Sequence, residues 1–315
     1  MPVRDARAPR LCAVGDFAWD VLIRSEGRLR RGGDTFGSVA LLPGGSAANV
    51  AVWAARCGAD TAFIGKVGTD ELGGLAHRNL ADEGVADHLI DSPEHPTGAV
   101  AVFVDADGER SMVSGHGADH YLQPEDLPVR ALESASHVHL TGWSIFLDPP
   151  RTAATRAAQL AAGAGASLSF DPSAFQLIDE LGTATFLELT TGLGATVIFP
   201  NRNEAAMLSG LRDPEASGLR IAELYGEATV VVKLDVDGAL VCHDGTPVHV
   251  PAISTPAIDT TGAGDAFAGA YLAAAMANRP PVDAATLACQ VAAHVVAHVG
   301  ARPPLPDGGI AAVHG

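Results

Sequence analysis

Two aspartates bracket a glycine loop at Asp259-Thr260-Thr261-Gly262-Ala263-Gly264-Asp265, and the apolar stretch Ala266 to Ala277 follows directly. The spacing predicts a tight turn feeding a helix N-terminus, with Asp265 just inside the helix. The first turn of a helix carries unpaired N–H groups and the positive end of the macrodipole, so it attracts anions. Gly262 and Gly264 allow backbone conformations that aim several of those N–H groups at one oxyanion. A phosphate suits such a cradle. An aspartate beside it makes a poor phosphate ligand, because like charges repel, and a good general base for a hydroxyl attacking that phosphate. The same residues also fit a plain capped helix, with Asp265 complementing the dipole.

Far upstream, Pro43-Gly44-Gly45-Ser46-Ala47-Ala48-Asn49 runs into the apolar stretch Val50 to Cys57, closed by Gly58 at a plausible C′ position. Thr61 to Gly68 reads as a strand ending in glycines, and Asp70-Glu71 open a further helix. Small residues let backbone and ligand approach closely, and Asn49 offers both donor and acceptor atoms to a polyhydroxyl ligand. Ordinary strand–turn–helix joints use such glycines too.

Together the two segments resemble the signatures of the ribokinase-like (PfkB) family of carbohydrate kinases. Gly44, Gly45, Asn49, Gly58 and Gly68 meet the first signature. Asp259 through Asp265, continued by Gly269, Ala270 and Tyr271, meet the second, and weaker likeness runs from about Leu11 to Pro306. The resemblance implies transfer of a phosphoryl group from ATP to a sugar hydroxyl. It makes Asp265 the catalytic base and Gly262, Ala263 and Gly264 the anion hole. It puts Asp16, Gly45, Asn49 and Asp259 on the sugar, Asp259 also lying near a monovalent cation (K+) site. Asp16 fits a strand-end turn residue as well.

Asn201-Arg202-Asn203-Glu204 fits the family's Asn-x-x-Glu motif, with Glu204 expected to hold Mg2+ through water and Asn201 to face the phosphates. The same pair has the spacing of a helix capping box. Lys233 to Ala239 stands where the family shows Lys-Leu-Gly-x-x-Gly-Ala, so Lys233 and Gly238, with Gly264, are expected on the nucleotide. Asp235 occupies the usual glycine position and must point away, bind metal or weaken nucleotide binding. Gly300-Ala301 resembles a stretch lining the nucleotide and cation region.

These residues need a scaffold. Short β-branched runs at Leu11–Gly15, His137–Leu140, Ser167–Asp171, Thr196–Pro200 and Thr229–Leu234 alternate with alanine-rich amphipathic stretches such as Arg151 to Gly163. Such alternation predicts an α/β fold, a mostly parallel sheet sandwiched by helices, with the ligand at the carboxyl ends of the strands. After a loose tail over 1–10, residues 11–315 read as one domain. Two segments at about 17–43 and 96–116 break the pattern with short strand-like runs. One is a hairpin turning at Asp105-Ala106-Asp107-Gly108. The resemblance makes these segments a small, discontinuous β lid, which would keep water from the activated phosphate.

Composition narrows the partners. The net charge of −17 argues against nucleic acid. No apolar run is long enough to span a membrane and no leader is evident, so the chain reads as cytoplasmic. Cys12, Cys57, Cys242 and Cys289 lack metal-site spacing and read as reduced core thiols. The Walker P-loop pattern G-x-x-x-x-G-K-[ST] is missing. His294 and His298 share a helix face without a third ligand, and His137 and His139 read as packing or surface residues.

For the acceptor, few basic residues fall near the expected sugar side, Lys66 being the main one. Asp171 to Phe175 also lacks the arginine of some keto-sugar-acid kinases. A neutral pentose or hexose leads. A nucleoside is the alternative, with Phe17, Trp19 or Phe36 available to stack on a base. A catalytically silent binding protein on the same fold is the alternative of another class, and a homodimer through the lid is left open.

Overall fold

The computed structural model describes residues 10–29, 31–104 and 110–310. β1 (Arg10–Val14) is followed by β2 (Ala18–Ser25), β3 (Gly37–Pro43), α1 (Ser46–Arg56), β4 (Asp60–Gly68), α2 (Glu71–Asp82) and β5 (Ala86–Ser92). Next come β6 (Gly98–Val104), β7 (Arg110–Ser114), α3 (Val129–Ser134), β8 (His137–Thr141), α4 (Pro150–Ala164) and β9 (Ser167–Asp171). The chain continues through α5 (Phe175–Leu181), α6 (Thr183–Thr191), β10 (Val197–Ile198), α7 (Arg202–Ser209), α8 (Pro214–Leu224) and β11 (Thr229–Lys233). β12 (Ala239–His243) and β13 (Thr246–Val250) precede α9 (Ala263–Met276) and α10 (Pro281–Val296).

Nine strands form the main sheet in the order β13-β12-β11-β10-β9-β8-β1-β4-β5, parallel from β11 to β5. All five residues of β8 and the middle of β11 are buried, as central strands covered on both faces should be, and β8 buries His137, His139 and Thr141 with its two apolar residues. β12 and β13 return antiparallel and make one edge. Their turn is the Asp244-Gly245 pair, both at positive φ (48° and 72°), which suits the twist of a tight hairpin. The alternation of strands and helices in the sequence does not reveal this hairpin.

Arg10 belongs to β1 rather than to a tail. It pairs with Thr61's neighbour Asp60 across the β1–β4 ladder, with Nε donating to Asp60 Oδ2 at 3.0 Å. The rest of the expected tail, and the turn Asp105 to Gly108, lie outside the described residues. The strands flanking that turn, β6 and β7, do pair antiparallel. They join β2 and β3 in a separate four-stranded sheet, order β3-β2-β6-β7, in which only β2 and β6 run parallel. This small sheet exposes Val39 and Val113, and Phe36, just before β3, is exposed as well.

α9 is buried from Ala266 to Ala274 and lies between α1 and α10. Gly269 lets its backbone press on α1: a Cβ there would lie 2.7 Å from the Val50 carbonyl oxygen and 2.9 Å from the Ala54 nitrogen. This close crossing brings the N-terminal ends of the two helices together. Among the described residues, no helix is long and apolar enough to cross a membrane. The four cysteines are unpaired, three of them buried.

Candidate active site

α1 begins at Ser46, inside the predicted glycine turn rather than after it. The reason is Asp16, whose carboxylate receives the Ser46 N–H (2.7 Å) and the Ala47 N–H (3.2 Å) and so caps the helix from a neighbouring strand end. Gly45 stands at φ 88°, and a Cβ there would lie 2.5 Å from the Asp16 carbonyl oxygen, so only glycine lets the turn pass so close.

Asp265 sits in the first turn of α9, after Gly262 at φ 72°. A Cβ on Gly262 would lie 2.4 Å from that of Ala301, which explains the glycine by both conformation and space. Ser46 Oγ donates to Asp265 Oδ1 (2.7 Å) and Asn49 Nδ2 donates to Oδ2 (2.7 Å). Burial, outweighing these two donors, pushes the Asp265 carboxyl up to about 7. A base poised near neutrality suits proton abstraction from an alcohol.

Asn201 and Glu204 form a complete capping box at the start of α7. Glu204 N–H donates to Asn201 Oδ1 (2.9 Å), and Asn201 N–H donates to Glu204 Oε2 (2.8 Å). Glu204 Oε1 is buried and has no hydrogen-bond partner among the described residues. Burial raises this carboxyl to about 7, with Lys233 opposing the rise. A buried carboxylate oxygen without a partner fits a hydrated divalent cation. No cluster of three or more His, Cys, Asp or Glu that could cage a metal is found among the described residues. One carboxylate plus waters and phosphates is how Mg2+ is commonly held.

Lys233 Nζ donates to Asp171 Oδ2 (2.6 Å) at the carboxyl ends of β11 and β9. A Cβ on Gly264 would come within 3.3 Å of Lys233 Nζ, so the ammonium lies against the anion-binding turn. Asp235 adopts φ 56°, the left-handed conformation for which its usual glycine is suited. Gly238, at φ 94°, closes the same turn by accepting the Leu234 N–H.

One cavity of about 840 Å³ is lined by Asp16, Gly45, Asn49, Asn201, Glu204, Lys233, Gly238 and Gly262 to Asp265. Asp235, Asp171, Cys289 and, from the small sheet, Val100 and Val102 also line it. The structure therefore gathers every predicted site residue except Asp259. That residue is set back, 3% exposed, with its carboxylate receiving the Thr261 and Gly300 N–H groups. It braces the loop against the C-terminal stretch. Lys66 also departs from expectation: it is bound to Asp126 (2.7 Å) and the Tyr121 carbonyl, away from the cavity wall. Phe17 and Trp19 are core residues and Phe36 is exposed, and none of the three lines the cavity.

Sequence reasoning missed Ser46, Arg302 and two carboxylates on the small-sheet side, Asp20 in β2 and Asp119 just after β7. Burial raises Asp20 to about 6 and Asp119 to about 7, the charge of Asp16 adding to both. Ser46 lies inside the Gly44 to Asn49 motif and could have been found there; Arg302 directly follows the Gly300-Ala301 stretch, but its own residue type matches nothing in that motif. His294 Nε2 donates to the Pro304 carbonyl (3.0 Å), and its ring lies edge-on to Trp53 and tilted beside His298, a structural role. His137 and His139 are buried against Ser167 and Ser169.

The model of the pfkB family carbohydrate kinases matches residues 8–308. The chain is 33% identical to a fructokinase of Escherichia coli over 84% of its own length and 83% of that protein's. It is 35% identical to an ATP-dependent ribose-1-phosphate kinase of Halopiger xanaduensis, over 84% of each. A solved structure of fructokinase from Vibrio cholerae O395, in a form bound to fructose, ADP and calcium ion, superposes with a TM-score of 0.80. That pair shares 28% identity over 98% of each chain. The chain belongs to the pfkB family of carbohydrate kinases and has the ribokinase-like α/β fold. It is a phosphotransferase with an alcohol group as acceptor.

Proposed function

We propose that the chain transfers the γ-phosphate of ATP to a primary hydroxyl of a neutral pentose or hexose. The observation that carries this is the Asp265 carboxylate, oriented by Ser46 and Asn49 at the edge of the anion-binding turn. In this mechanism Asp265 accepts the proton of the sugar hydroxyl as its oxygen attacks the γ-phosphorus in line. The new O–P bond forms while the bond to the β-phosphate oxygen breaks, releasing ADP. The amides of the Gly262 to Gly264 turn and the Lys233 ammonium receive charge on the phosphoryl oxygens. Glu204 is the residue that would hold magnesium through water, and the bound ion would neutralise phosphate charge.

A neutral acceptor is supported by the cavity wall, where Lys233 is the only lysine or arginine among the described residues and carboxylates Asp16, Asp20 and Asp119 stand at the lid side. The relatives named fructokinase agree with a neutral sugar, whereas a sugar phosphate would meet these carboxylates unfavourably. The test is ADP release from ATP and magnesium against D-fructose, D-ribose, ribose 1-phosphate and adenosine. Turnover confined to a neutral sugar is expected. Preference for ribose 1-phosphate or adenosine overturns the assignment, and sugar binding without ADP release identifies a silent binding protein.

A further inference from the structure

Asn49 can serve Asp265 only in one of its two amide orientations. Its Nδ2 must face the carboxylate, because the flipped form would set a carbonyl oxygen against an anion. Neither the glycine turn nor α1 itself makes that choice. Arg302 does. Its Nε donates to Asn49 Oδ1 at 2.7 Å, and a guanidinium has donors only, so it accepts no contact from an amide NH2. The fork is anchored on two other elements, donating through Nη1 to Asn79 Oδ1 in α2 (2.7 Å) and through Nη2 to the Gly44 carbonyl (2.9 Å). Arg302 is 8% exposed and does not line the cavity, so it reaches substrate only through these partners.

We propose that Arg302 is a positioning residue that locks the Asn49 amide, holds the Gly44 turn, and thereby keeps Asp265 oriented and ionisable. The inference rests on Asp265 as the base. Losing the lock frees the Asn49 donor from Asp265 in both Arg302→Lys and Arg302→Gln, and Arg302→Gln also withdraws a positive charge; each change favours the protonated carboxyl. The other groups facing Asp265 are Ser46 from α1, Lys233 from β11 and Asp171 from β9, and the three hydrogen bonds of Arg302 go to none of them. Lysine cannot substitute, because a single ammonium on a flexible stem does not span three acceptors on separate elements.

The experiment compares the parent, Arg302→Lys, Arg302→Gln, Asn49→Ala and the Arg302→Lys/Asn49→Ala double variant. The Asp265 carboxyl is titrated by carbon-13 NMR, and kcat and KM are measured with D-fructose and D-ribose. The expected result is an Asp265 titration moved to higher pH in both Arg302 variants, and a fall in kcat of about 10- to 100-fold with KM for ATP little changed. Replacing Arg302 in the Asn49→Ala background should produce little further loss, because the two residues act as one unit. An unmoved Asp265 titration, or losses that simply add, overturns the inference. If the NMR shift appears but no sugar is phosphorylated by the parent, the positioning role stands and the proposed transfer falls.

Discussion

Lys233 Nζ donates to Asp171 Oδ2 at 2.6 Å, joining the ends of β11 and β9 across the short strand β10 that lies between them. Burial works against the ammonium's charge, yet Asp171 and Glu204 outweigh it and raise the Lys233 pKa. The cation is thus held permanently charged beside the Gly264 turn, where nucleotide phosphate is expected. Its side chain is 15% exposed and that of Asp171 3%, so neither charge is left to water. Lys233→Met should leave Asp171 and Glu204 buried without their counter-ion. The expected loss of stability is about 3–5 kcal/mol, read by urea unfolding, with a raised KM for ATP. A variant as stable as the parent would show that the pair contributes nothing net.

Asp265→Asn should fold and bind sugar while losing turnover by a factor on the order of 10² to 10⁴. Both hydrogen bonds can survive, because Asn49 can still donate to the new amide oxygen and the Ser46 hydroxyl can rotate to accept from the new NH2. The parent's activity should rise with pH through about 7 as the carboxyl ionises. Stability moves the other way. The folded-state value lies above the ordinary 3.8, so the folded protein binds the extra proton and the parent loses stability as pH rises from about 4 to 7. Thermal melts should therefore find Asp265→Asn more stable than the parent at pH 8 and equal to it near pH 3.5, provided both remain folded. Near-normal turnover by this variant would remove Asp265 as the base.

Glu204→Gln keeps the acceptor that the Asn201 N–H needs, so α7 should remain capped. What it removes is the charge at the buried, unpartnered Oε1. The magnesium concentration for half-maximal activity should rise by about 10-fold, with little change in melting temperature. An unchanged magnesium titration would exclude Glu204 from holding the ion.

Asp235→Gly should relieve a left-handed backbone and remove a negative charge from the nucleotide end of the cavity. The strain relieved is about 1 kcal/mol, partly offset by the greater chain entropy of glycine in the unfolded state. KM for ATP should fall, and a coupled assay over a range of ATP concentrations measures it. A higher KM would mean that the carboxylate assists nucleotide binding, through metal or through the loop.

Much of the site was legible because its chemistry is local. Gly262 to Asp265 and Gly44 to Asn49 each fall within one turn feeding one helix, where backbone conformation and helix-end amides follow from neighbouring residues. The alternation of apolar and alanine-rich runs likewise determined a mostly parallel sheet, because strands buried on both faces are predominantly apolar. The β12–β13 edge was not determined in this way, since a two-residue turn overrides the alternation.

Contacts between distant segments were decided only in the folded chain. Asp265 meets Asn49 because Gly269 lets two buried helices cross closely, and Lys233 meets Asp171 because strand order makes them near neighbours. Arg302 reaches Asn49, Asn79 and Gly44 from just beyond the Gly300-Ala301 stretch, and nothing in the sequence ties it to those three partners. Hydrogen bonds and ion pairs act over a few ångströms in space regardless of separation in sequence. The residue types could therefore announce the reaction, while packing alone chose which of them hold the base in place.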